Sequence, residues 1–249
     1  MSNNNPGYID GFVLAVPTAG KEAFIHHART ADPVFMELGA RRIVECWQTD
    51  VPRGTTTDFY GAVAARDDES VVFSWIEWPD KATRDAAMGS LPSLMDKDPR
   101  MDAKHNPVPF DGKRMIFGGF APLVLRGEGQ PGAHVQGFVV PVKTDRQAAY
   151  REMAESAWPL FSEYGAWRLV EAWQDDVPSG QQTDFFRTVK AESDERVVFA
   201  LMEWPSREVC DAAAARMQSD PRMQMPAEMP FDGRRMVYGG FTPVVELSA

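Results

Sequence analysis

Two glutamates lie in aromatic, strand-like stretches of the chain and could do acid–base chemistry. Glu45 lies two residues before Trp47, and Glu77 lies two residues after Trp75. Because side chains two positions apart share one face of a strand, each carboxylate is expected beside an indole ring. Burial among apolar groups raises a carboxyl pKa, so, if the protein is an enzyme, one glutamate could act as a general base and the other as its electrostatic partner. Structural ion pairs outnumber catalytic ones, so the sequence favours the alternative that each glutamate pairs with an arginine or lies at a strand rim.

Other residues could complete such a site. Asp10, on a predicted first strand, and Tyr60 are further candidates for acid–base roles. The two tryptophans would line the cleft, and Arg114 would orient an anionic group of a ligand. Further along the chain, the corresponding ligand-binding candidates are Glu171, Trp173, Glu203 and Arg235.

Other kinds of reactive site find no support in the sequence. The two cysteines, Cys46 and Cys210, form no CxxC pair, and the four histidines follow no metal-ligand spacing. Phosphate-binding glycine motifs and a GxSxG nucleophile motif are also absent. We therefore expect no metal site, no cofactor and no disulfide.

Composition narrows the range of partners. The chain has 249 residues, is 44% hydrophobic and carries a formal net charge of −10. Such a surface repels nucleic-acid phosphates and anionic lipids, so neither nucleic acid nor a membrane is an expected partner. No apolar run has membrane-spanning length, and the start MSNNNPGYID does not resemble a secretory signal. We expect a soluble, cytoplasmic protein.

The chain contains the same domain twice. This repeat predicts a first domain over residues 1–125, a polar glycine-containing linker over 126–134 and a second domain over 135–249. The matching stretches are Val44–Gly54 with Val170–Gly180, Val71–Pro79 with Val197–Pro205, and Pro109–Pro122 with Pro230–Pro243.

Each copy has the pattern of a small α+β domain. Apolar spacing predicts a helix over Lys21–Leu38 that Pro33 kinks or breaks, and Asp80 is a good N-cap for a second helix. The predicted order is β-α-β-β-β-α-β, a ferredoxin-like unit with one additional strand at Thr57–Ala65. In the second copy, a segment with several methionines could cover a cleft or pack on itself. Its methionines are Met223, Met225, Met229 and Met236.

The ordered motifs GFV, GA.R.VE.W, DVP.G..TDF, VVF…EWP, DPRM and PFDG.RM..GGF resemble the DUF1428 or YbaA-like family of uncharacterised bacterial proteins. The resemblance spans nearly the whole chain, once per copy. It implies a dimeric α+β barrel in which the two copies of one chain supply the two ferredoxin-like halves. The wider fold group includes cofactor-free monooxygenases, isomerases and some haem proteins, so the fold does not name a reaction.

These observations lead to one expected function and one alternative. We expect an internal pseudo-dimer that binds a small apolar molecule in a cleft of the α+β barrel and that could turn it over by cofactor-independent acid–base chemistry. The alternative is a non-enzymatic structural or interaction protein without a ligand cleft. The identity of the ligand and any further self-association remain open from the sequence.

Overall fold

Each copy folds into four strands, two long helices and one short helix, as seen in a computed structural model that describes residues 5–223 and 228–249. Residues 1–4 of the first predicted domain, and Met225, lie outside the described residues. The first copy contains β1 (Tyr8–Pro17), α1 (Lys21–Glu37), β2 (Arg42–Asp50), α2 (Phe59–Ala62), β3 (Glu69–Trp78), α3 (Lys81–Lys97) and β4 (Ile116–Gly127). The second contains β5 (His134–Lys143), α4 (Gln147–Glu163), β6 (Arg168–Asp176), α5 (Phe185–Thr188), β7 (Glu195–Trp204), α6 (Arg207–Met217) and β8 (Val237–Ser248). Residues 128–133 therefore connect the two copies.

The additional strand predicted at Thr57–Ala65 is wrong, because this segment forms a turn and the short helix α2. The Asp58 side chain caps the helix by accepting a hydrogen bond from the Gly61 backbone N–H at 2.6 Å. Asp184 caps α5 in the same way. Each copy is therefore a plain ferredoxin-like β-α-β-β-α-β unit with a helical turn between its second and third strands.

The long helices have the predicted caps but not the predicted break. Asp80 and Ser206 accept hydrogen bonds from backbone N–H groups at the starts of α3 and α6. α1 continues through Pro33 to Glu37, because its buried face packs on the sheet along its whole length. Every helix in the described part of the chain is too short or too polar to span a lipid bilayer.

The two copies close into one barrel. The strand order around the barrel is β1-β3-β2-β8-β5-β7-β6-β4, and β4 pairs with β1 to complete the circle. β2 pairs with β8 and β4 pairs with β6, so each of the two seams between the copies is an antiparallel ladder, interrupted by local register shifts. This arrangement confirms the predicted intrachain α+β barrel.

Aromatic side chains fill the inside of the barrel. The rings of Phe73 and Phe199, from equivalent strands of the two copies, stack with their centroids 4.7 Å apart and 3° between their planes. Two glycines make room for them: a Cβ on Gly11 would lie 2.7 Å from Phe199, and a Cβ on Gly137 would lie 2.8 Å from Phe73. The barrel interior is therefore a packed core.

Gly137→Ala should destabilise the protein, because the added methyl group would overlap the Phe73 ring in a region that has no spare volume. We expect the free energy of unfolding to fall by about 1–3 kcal/mol in urea denaturation. Gly89→Ala on α3 is the matched control, since nothing lies within 4 Å of its Cβ position. That variant should be neutral or stabilised by up to about 1 kcal/mol. Equal losses in both variants would contradict close packing of the Phe73 ring against Gly137.

Candidate functional site

A pair of carboxyl groups lies between α1 and the outer face of the sheet in the first copy. Glu45 projects outward from β2 and accepts a hydrogen bond from the Ser74 hydroxyl of β3. Asp32 on α1 is 7% exposed, close enough for its charge to interact with that of Glu45. Its Oδ2 atom is buried without a hydrogen-bond partner. A buried carboxyl oxygen without a partner is costly, so this position is one where a bound group could supply the missing contact.

The two carboxyl groups differ in how they hold protons. Burial raises the pKa of Glu45 to about 7, although the Ser74 hydroxyl favours its ionised form. Burial raises the pKa of Asp32 well above its ordinary value, and the nearby Glu45 carboxylate raises it further. The Ser74 hydroxyl donates to Glu45 and favours its ionised form, whereas Asp32 Oδ2 has no donor, so a single proton on the pair is better placed on Asp32.

The surroundings of the acid pair are mostly apolar. Trp47 follows Glu45 on the same face of β2 and packs against Phe24 of α1, with ring centroids 6.1 Å apart. Lys21 lies over the Trp47 ring at 5.5 Å. Because α1 packs on both β2 and β8, the pair lies above a seam between the two copies.

The equivalent place in the second copy has a tryptophan in place of the second carboxyl group. Glu171 is the counterpart of Glu45, and the Tyr150 hydroxyl donates a hydrogen bond to its Oε2 at 2.6 Å. Trp158 stands where the first copy has Asp32, and Trp173 packs beside Tyr150. Burial raises the pKa of Glu171 to about 7 as well. The second copy thus keeps a buried glutamate with a raised pKa, but it has no second carboxyl group beside it.

The sequence suggested Glu77 as the electrostatic partner of Glu45, but the two residues lie on opposite faces of the sheet. The register pairs Glu45 with Ser74, so Glu77 falls on the inner face. There it accepts two hydrogen bonds from Arg168 of the other copy, at 2.6 and 2.9 Å. Burial opposes ionisation of Glu77, but Arg168 outweighs it and lowers the pKa of Glu77.

Glu203 forms the reciprocal ion pair at the same end of the barrel. It accepts hydrogen bonds from Arg42 of the first copy at 2.5 and 3.0 Å. Arg42 also contacts Glu246, whose counterpart in the first copy is Leu125. The structural ion-pair alternative therefore holds for Glu77 and Glu203, which bind the copies together.

Asp10 and Tyr60 lie away from the acid pair. Asp10 accepts hydrogen bonds from Trp78 at 2.8 Å and from Arg84 at 2.9 Å, and Arg84 reaches on to Asp176 of the second copy. Burial raises the pKa of Asp10 despite the Arg84 charge. Tyr60 lies on α2, where the Arg53 guanidinium stacks over its ring at 3.8 Å.

The remaining predicted ligand contacts are engaged within the protein. Trp75 points into the barrel and donates a hydrogen bond to Glu77, so it shares no cleft with Trp47 on the outer face. Arg114 pairs with Glu69 through two hydrogen bonds of 2.6 Å, and it lowers the pKa of that glutamate to about 2. Arg235 and Glu195 form the same pair in the second copy, and Met223 and Met236 pack on the core.

The sequence reasoning missed Asp32, although two signals for it were present. It lies on the apolar side of a helix pattern, and its repeat counterpart is a tryptophan. A charged residue on a buried helix face is uncommon and marks a candidate site. Within residues 5–223 and 228–249, no group of three or more His, Cys, Asp or Glu side chains is arranged to hold a metal ion.

Comparison with known proteins identifies the family. The sequence profile described as "Protein of unknown function (DUF1428)" matches residues 7–112 and again residues 133–233. The chain belongs to the DUF1428 family. A relative, the uncharacterized protein YbaA of Escherichia coli K12, is 57% identical over 114 residues, which are 45% of this chain and 97% of that protein. YbaA of Shigella flexneri matches to the same extent. This DUF1428 chain therefore holds two copies of a unit that these relatives carry once.

Solved structures show the same fold across both DUF1428 copies. A proposed monooxygenase from Lactobacillus acidophilus NCFM superposes with a TM-score of 0.55 at 12% identity, covering 97% of this chain and 96% of its own. An anthrone oxidase-like protein superposes with a TM-score of 0.53 at 10% identity, covering 99% and 95%. At these identities the likeness establishes the α+β barrel fold alone.

Glu171→Gln should make stability less dependent on pH. The folded pKa of Glu171 is about 7 and its ordinary value is 4.5, so its contribution to stability is complete below 4.5 and is lost as pH rises to 7. In urea denaturation the variant should exceed the wild type by about 1–3 kcal/mol at about pH 8 and match it near pH 4. The control is Glu152→Gln on the exposed side of α4. If the difference in unfolding free energy between Glu171→Gln and the wild type does not change with pH, the raised pKa of Glu171 is contradicted.

Proposed function

We propose that the first copy binds a small, largely apolar molecule between α1 and the sheet, and that Glu45 removes a proton from it while Asp32 donates a hydrogen bond. The observation that carries this proposal is the Asp32 Oδ2 atom, which is buried and unpartnered beside a glutamate with a pKa of about 7. The unpartnered oxygen and the ionised form of the buried glutamate both cost stability, and together they provide a base and a donor.

The division of roles follows from the two environments. A base with a pKa near 7 is partly ionised at neutral pH and is a stronger proton acceptor than an ordinary carboxylate. We assign the proton of the pair to Asp32, which can then donate to an oxygen that gains negative charge as the ligand is deprotonated. Trp47 and Phe24 supply an apolar wall suited to an aromatic ligand.

The names of the structural neighbours suggest a substrate class. In an anthrone, a methylene group next to two aromatic rings is weakly acidic, and its deprotonation gives an enolate oxygen. That chemistry needs a base and an oxyanion donor in an apolar site, which is what Glu45 and Asp32 would provide. Within the barrel, Phe73 and the neighbouring aromatic rings stack closely, which favours a ligand position under α1 over one inside the barrel.

Binding can be tested with N-phenyl-1-naphthylamine, a neutral apolar fluorophore. We expect it to bind more tightly at about pH 5.5 than at about pH 8.5, because an apolar ring that covers ionised Glu45 would have to displace the water around the charge. The double variant Asp32→Asn with Glu45→Gln should bind with little pH dependence, whereas Glu171→Gln should behave like the wild type. If the double variant binds the probe with the same pH dependence as the wild type, the probe binds elsewhere and the proposal is contradicted.

Proton transfer can be tested with anthrone under argon in deuterated buffer. The wild type should accelerate exchange of the methylene protons, followed by nuclear magnetic resonance, without consuming the compound. Loss of the base in Glu45→Gln should lower the catalysed exchange rate by at least about 100-fold, since general-base catalysis contributes about that much. Glu171→Gln is again the control. Exchange that is unchanged in Glu45→Gln would rule out Glu45 as the base.

A further inference from the structure

A second site lies at the junction between the two copies, on a different part of the barrel from the acid pair. It is a cleft of ≈ 240 Å³. One wall comes from the start of β4 in the first copy, and the other comes from the loop after β6 in the second copy. Its lining includes Lys113, Phe117, Gln181, Gln182, Thr183 and Asp184.

Close contact between the copies creates the cleft. Val177, just after β6, lies so near to β4 that a Cβ on Gly118 would be 2.7 Å from its methyl group. The loop is thereby held against the strand, and the neighbouring Phe117 ring remains 45% exposed at the cleft. An exposed aromatic ring beside a pocket is a surface on which a flat ligand can stack.

The wall of the cleft carries an unsatisfied hydroxyl group. Thr183 is 8% exposed, and its Oγ1 atom is buried without a hydrogen-bond partner. Its counterpart in the first copy, Thr57, donates a hydrogen bond to the backbone carbonyl of Thr188. Of these two equivalent threonines, it is Thr183, in the wall of the cleft, that loses stability by burying a hydroxyl without a hydrogen bond.

The other polar groups define the charge of a fitting ligand. Asp184 is buried, and its carboxylate accepts hydrogen bonds from the backbone N–H groups of Gly180 and Arg187 and forms an ion pair with the Arg187 guanidinium at 2.6 Å. Because this charge is compensated within the protein, Asp184 offers no charge to a ligand, and a neutral ligand fits the lining. The amides of Gln181 and Gln182 are exposed and can both donate and accept hydrogen bonds.

We propose that this cleft binds a small, neutral, planar heteroaromatic molecule of one or two rings, stacked on Phe117 and accepting a hydrogen bond from Thr183. The volume suits such a molecule and is smaller than a site for a drug-sized ligand. Because the Thr183 hydroxyl is buried, the exposed Gln181–Gln182 segment must move aside slightly for the ligand to reach it, as surface loops commonly do.

The test uses caffeine and adenine as probes at millimolar concentration, followed by ligand-observed nuclear magnetic resonance and titration. We expect at least one of them to bind. Phe117→Ala should weaken that binding by about tenfold or more, because a stacked ring is lost. Thr183→Val should weaken it by about tenfold while thermal stability stays the same or rises, because the substitution removes an unpaired buried hydroxyl.

The repeat provides matched controls. Tyr238→Ala and Thr57→Val change the counterparts of Phe117 and Thr183 and should leave binding unchanged, although Thr57→Val loses a hydrogen bond and should lower thermal stability. As a comparison ligand, 1-methylindole lacks a ring acceptor, so its binding should not respond to Thr183→Val. The proposal is overturned if neither probe binds, if binding survives Phe117→Ala, or if the control variants weaken it equally.

Discussion

The structure depends on the contact between Phe73 and Phe199 at the centre of the barrel. Each copy alone is a four-stranded sheet with helices on one face, and its other face carries large aromatic side chains that water would have to cover. Stacking these two rings, each against a glycine of the opposite copy, fixes how the sheets meet. The seams at β2–β8 and β4–β6 follow from this contact, because strands held in that position can complete their hydrogen bonds only with each other.

Ion pairs between the copies add to the specificity that the aromatic core provides. At one end of the barrel, Arg42 and Arg168 each reach across to a glutamate of the other copy, so that each of these four buried charges has a partner of opposite sign. The connection between copies passes directly over this end: a Cβ on Gly129 would lie 2.0 Å from the Arg42 guanidinium. Such pairs add little net stability, but an alternative pairing of the sheets would leave two buried arginines without partners. They therefore favour this one arrangement.

The sequence allowed the architecture to be predicted, but it did not allow the arrangement of the site residues to be predicted. Duplicated motifs and apolar periodicity predicted two ferredoxin-like halves, but the segment with Asp58 was misread as a strand because its cap and short helix resemble a strand flanked by turns. The faces of Glu45 and Glu77 depend on the register between β2 and β3, which no local pattern reveals. The pairing of Glu77 with Arg168 joins residues from different copies and could not be read from either copy alone.

Fusion of the copies has a consequence for how such a protein can change over generations. In a barrel built from two identical chains, every substitution occurs twice, so the assembly loses stability at two positions for each destabilising substitution. Here the unpaired carboxyl of Asp32 occurs once, opposite a tryptophan in the same position of the other copy. The second half can thus remain a well-packed support while the first half accumulates residues that a symmetric assembly could not tolerate.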